Sequence, residues 1–511
     1  EPLTRFNLSI TSGNANIINL ELSGSQQQLG EVRVEANRAI RVATPETPLS
    51  VQRLNVEEIK SNPGGNFDIS RVVQVLPGVG GTAGSVGGFR NDIIIRGGAP
   101  NENVYYLDGV EVPVINHFST QGSAGGPVGI LNVSFIEDVT LSSSAFEARY
   151  DNALSSVLQF RQRDGNPDRI QGNVRLSATE VAGTLEGPVA KNTTFLASIR
   201  RSYLQLLFET LDLPIKPSYW DAQFKITHKL SPKTTLTALG VGALDDFSTR
   251  VPRNSSPEAE YTLRSTPSFN QWNYTVGASL RHLLPQGFLN VALSRTQLYT
   301  KVDLFEDQQV GDETRRVLRT RSGEAENKLR ADVNLTRGKW QLAYGAVGQY
   351  IEFSSNFRNR LRRELRDAAT GAVVQPEVLV RFRSDIGFAR FGAFAQATRA
   401  LLPNDRLTLS GGIRADGNSF TDGGANLLRT LSPRVSASYA LAPRWNLNAS
   451  LGRYYKIPVS TVLGFRDAAG ELVNRTNRYI RSDHAVAGLE WLPATATRFT
   501  LEGFYKRYAN Y

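Results

Sequence analysis

LTLSGGIRAD, residues 407–416, places Leu407, Leu409, Gly411, Ile413 and Ala415 on one face of an extended chain, and Thr408, Ser410, Arg414 and Asp416 on the other. Side chains of a strand alternate with period two, so one face is oily and the other wet. The pattern returns in Trp445, Leu447, Ala449 and Leu451 against Asn446, Asn448 and Ser450. It returns again in Phe499, Leu501, Gly503 and Tyr505 against Thr500 and Glu502. Long amphipathic strands of this kind predict an antiparallel sheet whose two faces meet different surroundings.

Short turn signals divide the chain from about residue 170 onward: LSPK at Pro232, LLPQG at Pro285, TRGKW at Gly338, LLPND at Pro403, LAPRW at Pro443 and WLPAT at Pro493. Each interval can hold two strands of ~10 to 16 residues and a long polar loop, such as that at 357–385. EGPVAKN near Pro188 adds a seventh turn, giving fourteen flanking strands, and one earlier strand is expected at about 171–178. Short turns on one rim and long loops on the other predict an all-β transmembrane antiparallel barrel, with Trp340, Trp445 and Trp491 at the membrane interface. An odd number of antiparallel strands leaves an edge that lipid cannot satisfy, so the chain is expected to carry about 15 of roughly 22 strands. A soluble β-propeller shares the period of about 50 residues. Against it, no Trp-Asp or Gly-His blade signature recurs and the loops vary greatly in length.

Composition agrees with strands crossing a membrane. The 511 residues exceed what one globular core usually organises. With 40% hydrophobic and 21% charged residues, the chain has no apolar run long enough for a spanning helix. Cysteine is absent, which excludes disulfides, thiolate metal sites and Cys nucleophiles. The four histidines lie far apart without ligand spacing, so no metal site or cofactor is expected. The formal charge of +10 is scattered among strands and loops instead of clustering with aromatics, which argues against nucleic acid and for anionic groups at a membrane surface. Methionine is absent too, initiator included, so the chain reads as a processed or cut segment, and the missing export signal carries no information.

The front of the chain differs. RFNLSI and NIINLELS within residues 1–28 read as the last strands of a small β-domain. In 29–37, LGEVRVEAN forms one isolated alternating segment with no adjacent hairpin partner. From 38 to 165 a mixed α/β domain is expected. Asn55 caps a short helix, and Asp68 caps a second whose Ile69, Val72, Val73 and Leu76 share a face, ended by Pro77-Gly78. Ile93 to Ile95 is a buried apolar run, and Val104 to Leu107 turn through Asp108-Gly109 into Val110 to Val112 as a hairpin. The run and the hairpin are expected to share one small rigid sheet. Residues 166–511 are then the barrel.

On VVQVLPGVGG, DIIIRGGAPNENVYYLDGVEVP, IEDVTLSSSAFEARYDNALSSVLQF and GTLEGPVAKNTTFLASIRRSYL, the sequence resembles the TonB-dependent receptors of the bacterial outer membrane. The N-terminal remnant looks like the end of the carboxypeptidase-regulatory-like β-domain that precedes the plug in some members. EARYDNALSSVLQF departs from the family in lacking its Tyr-Gly and paired-Gly pattern. The resemblance implies that the α/β domain is a plug filling the lumen, with Arg96, Gly97, Gly98, Asp108 and Gly109 as its structural motif. Arg96, next to the buried Ile run, is expected to need an acidic partner on the barrel wall. It also implies a TonB box, for which Glu31, Val32, Arg33, Val34, Glu35 and Ala36 are the candidates, pairing by strand addition with the periplasmic C-terminal domain of TonB.

Ligand contacts are expected at Asn116, His117 and Phe118 just past the hairpin, and more weakly at Tyr105 and Tyr106. The expected function is active import of a scarce small molecule, glycan or peptide across an outer membrane whose lipid surrounds the barrel. The alternative is a plugged barrel serving as a surface adhesin or the anchor of an outer-membrane complex. An enzyme is not expected: no carboxylate pair flanks a reacting bond, the serines of LSSSAF lack a histidine, and Gly78 to Ala83, which fits G-x-G-x-x-A, follows a helix instead of a strand.

Overall fold

Fifteen strands between Gln171 and Ala509 form one sheet in which each pairs antiparallel with its neighbour along the chain. This continuous meander excludes the separate blades of a propeller. The computed structural model describes residues 44, 46–62, 68–81, 92–254, 256–306, 311–494 and 497–511. The β-domain remnant expected at 1–28 and the segment Glu31 to Ala36 lie outside these residues.

The turns lie where the sequence places them. Ile215–Ser231 meets Thr234–Thr249, Ser268–Leu284 meets Gly287–Phe305, and Arg316–Arg337 meets Trp340–Arg362, each across a tight connection. Longer segments join the strands at the opposite end. They carry the helices Leu204–Thr210, Pro257–Ser265 and Ser460–Leu463, and a two-stranded ribbon of Leu365–Arg366 with Val373–Gln375.

Exposure runs opposite to that of a water-soluble protein. Along Leu407–Asn418, Ser410 and Arg414 are 3% and 2% exposed, whereas Leu409 and Ile413 are 39% and 45% exposed. The strand Trp445–Lys456 repeats this, with Asn448 and Ser450 buried and Leu447 and Leu451 outside. Apolar side chains on the outside and polar ones within are the arrangement of a barrel in lipid. Trp340, Trp445 and Trp491 are all exposed beside the short turns, and Trp445 stacks on Trp491 at 5.3 Å. No helix of the described residues is long and apolar enough to cross a membrane.

The plug is built on a five-stranded sheet of order Val51–Asn55, Ile136–Ser142, Ser156–Gln162, Asn103–Leu107, Val110–Glu111. Asn55 caps the helix Val56–Ser61 in a reciprocal box with Glu58, and Asp68 caps Ile69–Val73. Asp108 and Gly109 take φ of 46° and 86° in the hairpin turn. One expectation is corrected. Ile94–Ile95 does not join the hairpin's sheet but pairs with Val79–Gly80 as a separate ribbon. Positive φ at Arg96 (49°) and Gly97 (77°) folds the chain back, and the Gly98 amide donates to the Ile95 carbonyl at 3.0 Å. The hairpin's neighbour is instead Ser156–Gln162, which runs parallel to Asn103–Leu107. The plug core reaches the barrel directly: Val110 and Leu107 share one apolar cluster with Leu239, Val241, Ala243 and Leu298 of the inner wall.

Candidate functional site: the seam between plug and barrel

The two-residue strand Asn116–His117 pairs with Val128–Gly129 and pushes a loop of the plug against the wall. His117 is fully buried there. Its Nδ1 lies 2.6 Å from Asp245 and its Nε2 3.1 Å from Asp221, on adjacent barrel strands, and its ring stacks on Tyr219 at 3.9 Å. Burial opposes charge on the imidazole, but Asp245 and Asp221 outweigh it and raise the pKa above 6.5. Arg200 completes the cluster: its Nε donates to Asp221 at 2.7 Å, and its Nη2 donates to the Gly129 carbonyl of the plug at 2.6 Å.

The remaining candidates separate into different surroundings. Asn116 is buried within the plug, accepting from Ser70 Oγ at 2.7 Å and donating to the Ala124 carbonyl at 2.9 Å. Phe118 has φ of 53°, donates its amide to Asp245 at 2.8 Å and packs edge-on against Tyr219 and Phe247. Tyr105 and Tyr106 point to opposite faces of their strand, Tyr105 against Phe160 and Tyr106 against Tyr150. Both phenols are raised well above their usual pKa by burial.

The plug motif is tied to the last strand, Thr497–Ala509. Arg96 donates to Glu502 at 2.8 Å and lies over Phe504, while Ser50 binds the same carboxylate through its amide and hydroxyl. Arg96 therefore meets an acidic partner on the barrel wall. Asp108, at the hairpin tip, accepts from the Gln162 amide and lies 3.1 Å from Lys225. An added Cβ at Gly98 would fall 2.2 Å from Ser155 Oγ, so only glycine fits.

Lys328 of the inner wall reaches the plug between Glu111 and Asp151, 2.8 Å from Asp151 Oδ2. Arg390 approaches the same carboxylate at 3.4 Å. Burial alone would raise the Asp151 pKa, yet Lys328, Arg414 and Arg390 together hold it far below the usual carboxylate range. Arg414 and Arg434 donate to plug carbonyls, at 3.3 Å to Ala148 and 3.1 Å to Phe146. A cavity of about 130 Å³ lies between the hairpin and the wall, where Tyr105, Asn103 and Glu111 face Glu324, Glu326 and Lys456.

A folded insert held inside a lipid-facing barrel is matched by two family models. The plug model, "TonB-dependent Receptor Plug Domain", matches residues 44–157, and "TonB dependent receptor-like, beta-barrel" matches residues 217–511. The chain belongs to the TonB-dependent receptor family. Barrels of this family reside in the outer membrane.

Several solved structures share this receptor's fold. The ferric enterobactin receptor PfeA of Pseudomonas aeruginosa is 18% identical, with a TM-score of 0.65 over 91% of this chain and 73% of its own. The siderophore receptor PirA of Acinetobacter baumannii is 14% identical, with a TM-score of 0.65 over 90% and 70%. The outer membrane transporter YddB of Escherichia coli is 15% identical, with a TM-score of 0.62 over 87% and 67%. At such identities the likeness establishes the fold alone. No curated protein matches the receptor in sequence.

Sequence reasoning missed the wall's half of the seam: Asp221, Asp245, Lys328, Arg390 and Arg434. A signal for them exists. A charged residue on the wet face of a strand whose other face meets lipid must point into the lumen, where it needs a partner. Gly78 to Gly81, the described part of the dinucleotide-like run, opens no helix, since Val79–Gly80 is a strand.

Proposed function

We propose that this receptor imports a scarce ligand across the outer membrane, with TonB pulling on the segment Glu31 to Ala36 to loosen the plug. The observation that carries this reading is the seam. The plug is seated largely by charged and hydrogen-bonded contacts, His117 with Asp221 and Asp245, Lys328 with Asp151, and Arg96 with Glu502. Each can exchange its partner for water once separated, which suits a barrier that must open and reseat. The cavity beside the hairpin, about 130 Å³, is small against the roughly 300–1,000 Å³ of ordinary ligand pockets. A ligand that fills a pocket of ordinary size does not fit this cavity as it stands, which favours a plug that shifts.

Neighbours described as siderophore receptors make a ferric chelate the first ligand class to test. Phe118, partly exposed at the seam, is the ligand-contact candidate that we retain among the expected residues, while the enclosed His117 and Asn116 are assigned to holding the loop. Strand addition depends on main-chain donors, so Val34→Pro removes one without disturbing the barrel. Uptake by that variant should stop while ligand binding and barrel assembly persist. Uptake at the wild-type rate would refute the TonB-box assignment.

A further inference from the structure

The cavity of about 130 Å³ beside the hairpin is lined by two carboxylates of the wall, Glu324 and Glu326. They are alternate residues of the strand Arg316–Arg337 and so face the lumen together. Glu324 accepts from the Ser460 hydroxyl, and Glu326 accepts from Gln349 Nε2 at 2.5 Å. Both partners are neutral. Gln349 is 5% exposed, and its own Oε1 is buried without a hydrogen-bond partner. Acceptors therefore outnumber donors around the pair.

The other charges at the cavity are Glu111, Arg390 and Lys456. Glu111 pairs with Lys328, and Arg390 pairs with Asp151, which Lys328 also binds. Those four charges cancel. Lys456 is buried and donates to the Asn152 carbonyl at 3.2 Å. Among the described residues, no ion pair includes Glu324, Glu326 or Lys456. Two carboxylates against one ammonium leave one negative charge. Glu102, a further carboxylate near Lys456, lies outside the lining and is held by the hydroxyls of Tyr508 and Tyr511 at 2.6 and 3.1 Å.

An enclosed charge without a counter-charge is costly, and a cation that brings its own hydrogen-bond donors removes that cost. Tyr105 and Phe388 also line the cavity, and aromatic rings suit an organic cation. Among the described residues, no group of three His, Cys, Asp or Glu side chains could hold a metal ion. We propose that this cavity receives a primary ammonium group of the imported ligand. Glu324 and Glu326 accept its hydrogen bonds, and Lys456 limits the site to a single positive charge. That the ammonium belongs to the cargo rests on the import reading above, whereas its binding is independent of TonB.

The test titrates the purified full chain in detergent, at neutral pH, with ethylammonium as the probe and acetamide as a neutral probe of similar size. Binding is followed by saturation-transfer NMR. Wild type should bind ethylammonium on the order of 10-fold more tightly than Glu324→Gln/Glu326→Gln does, and Lys456→Gln should bind it on the order of 10-fold more tightly than wild type. A misfolded lumen cannot tighten binding, so the second variant guards the first. Equal binding by all three proteins, or acetamide bound as well as ethylammonium, overturns the proposal. Absence of binding also overturns it, since a proton held by the pair would then supply the missing charge. Displacement of ethylammonium by calcium at equal concentration overturns the organic class of ligand. Val34→Pro should leave these affinities unchanged; import persisting in that variant would refute the TonB-box assignment and leave this site standing.

Discussion

His117 joins the plug to two barrel strands through one ring, and its charge sets how firmly. Its pKa is raised in the docked state, so the stabilisation is fully present below about 6.5 and is lost as pH rises through the elevated value. The groups facing it are Asp221, Asp245 and Arg200. Plug opening, read as conductance in planar bilayers, should therefore become more frequent as pH rises above 6.5. His117→Gln should abolish that dependence and weaken docking at neutral pH by roughly 3–5 kcal/mol, because it leaves buried carboxylates short of a partner. Hydrogen exchange at residues 116–130 would measure the weakening; protection unchanged by the substitution would contradict this role. The sequence draws attention to His117 by its place after the hairpin, but its partners stand 104 and 128 residues away. Linear spacing carries no trace of such a contact.

The hairpin and its approach contain two glycines fixed for different reasons. At Gly109 an added Cβ meets nothing within 4 Å, so Gly109→Ala costs only the positive φ, roughly 1–3 kcal/mol. At Gly98 the Cβ collides with the Ser155 side chain and Glu102, which adds overpacking of typically about 1–3 kcal/mol. A combined Gly98→Ala/Ser155→Gly change, which clears both the Ser155 Oγ at 2.2 Å and its Cβ at 2.5 Å, should recover part of the loss at Gly98, measured as urea midpoints of plug unfolding. Failure to recover would mean that Ser155 is not the obstacle. The contrast between plug and barrel also explains what could be read in advance. Each barrel turn is local chemistry, a proline or glycine between two alternating runs, and the strands follow from it. The plug's central pair, Asn103–Leu107 beside Ser156–Gln162, is parallel and joined through some fifty intervening residues, so adjacent runs such as Ile93 to Ile95 suggest a partnership that the turn at Arg96 and Gly97 prevents.

Across the molecule, the barrel supplies a lumen and the plug closes it, with charged wall residues gripping the plug on several sides. Arg96 and Glu102 are bound by the last strand, Asp151 and Glu111 by Lys328, and the loop at His117 by the strands that carry Asp221 and Asp245. The central claim is that the plug must move against this wall for a ligand to pass. The chain contains no cysteine, so an introduced pair would be its sole disulfide. A Cβ at Gly277 on the wall would lie 2.9 Å from both methyl carbons of Val110 in the hairpin, close enough for Val110→Cys with Gly277→Cys to form a bridge. The measurement is uptake of labelled ligand by cells carrying this double variant, before and after reduction. Oxidised cells should bind ligand and fail to import it, and reduction should restore import; import at the wild-type rate with the bridge shown to be formed would contradict the claim that the plug moves.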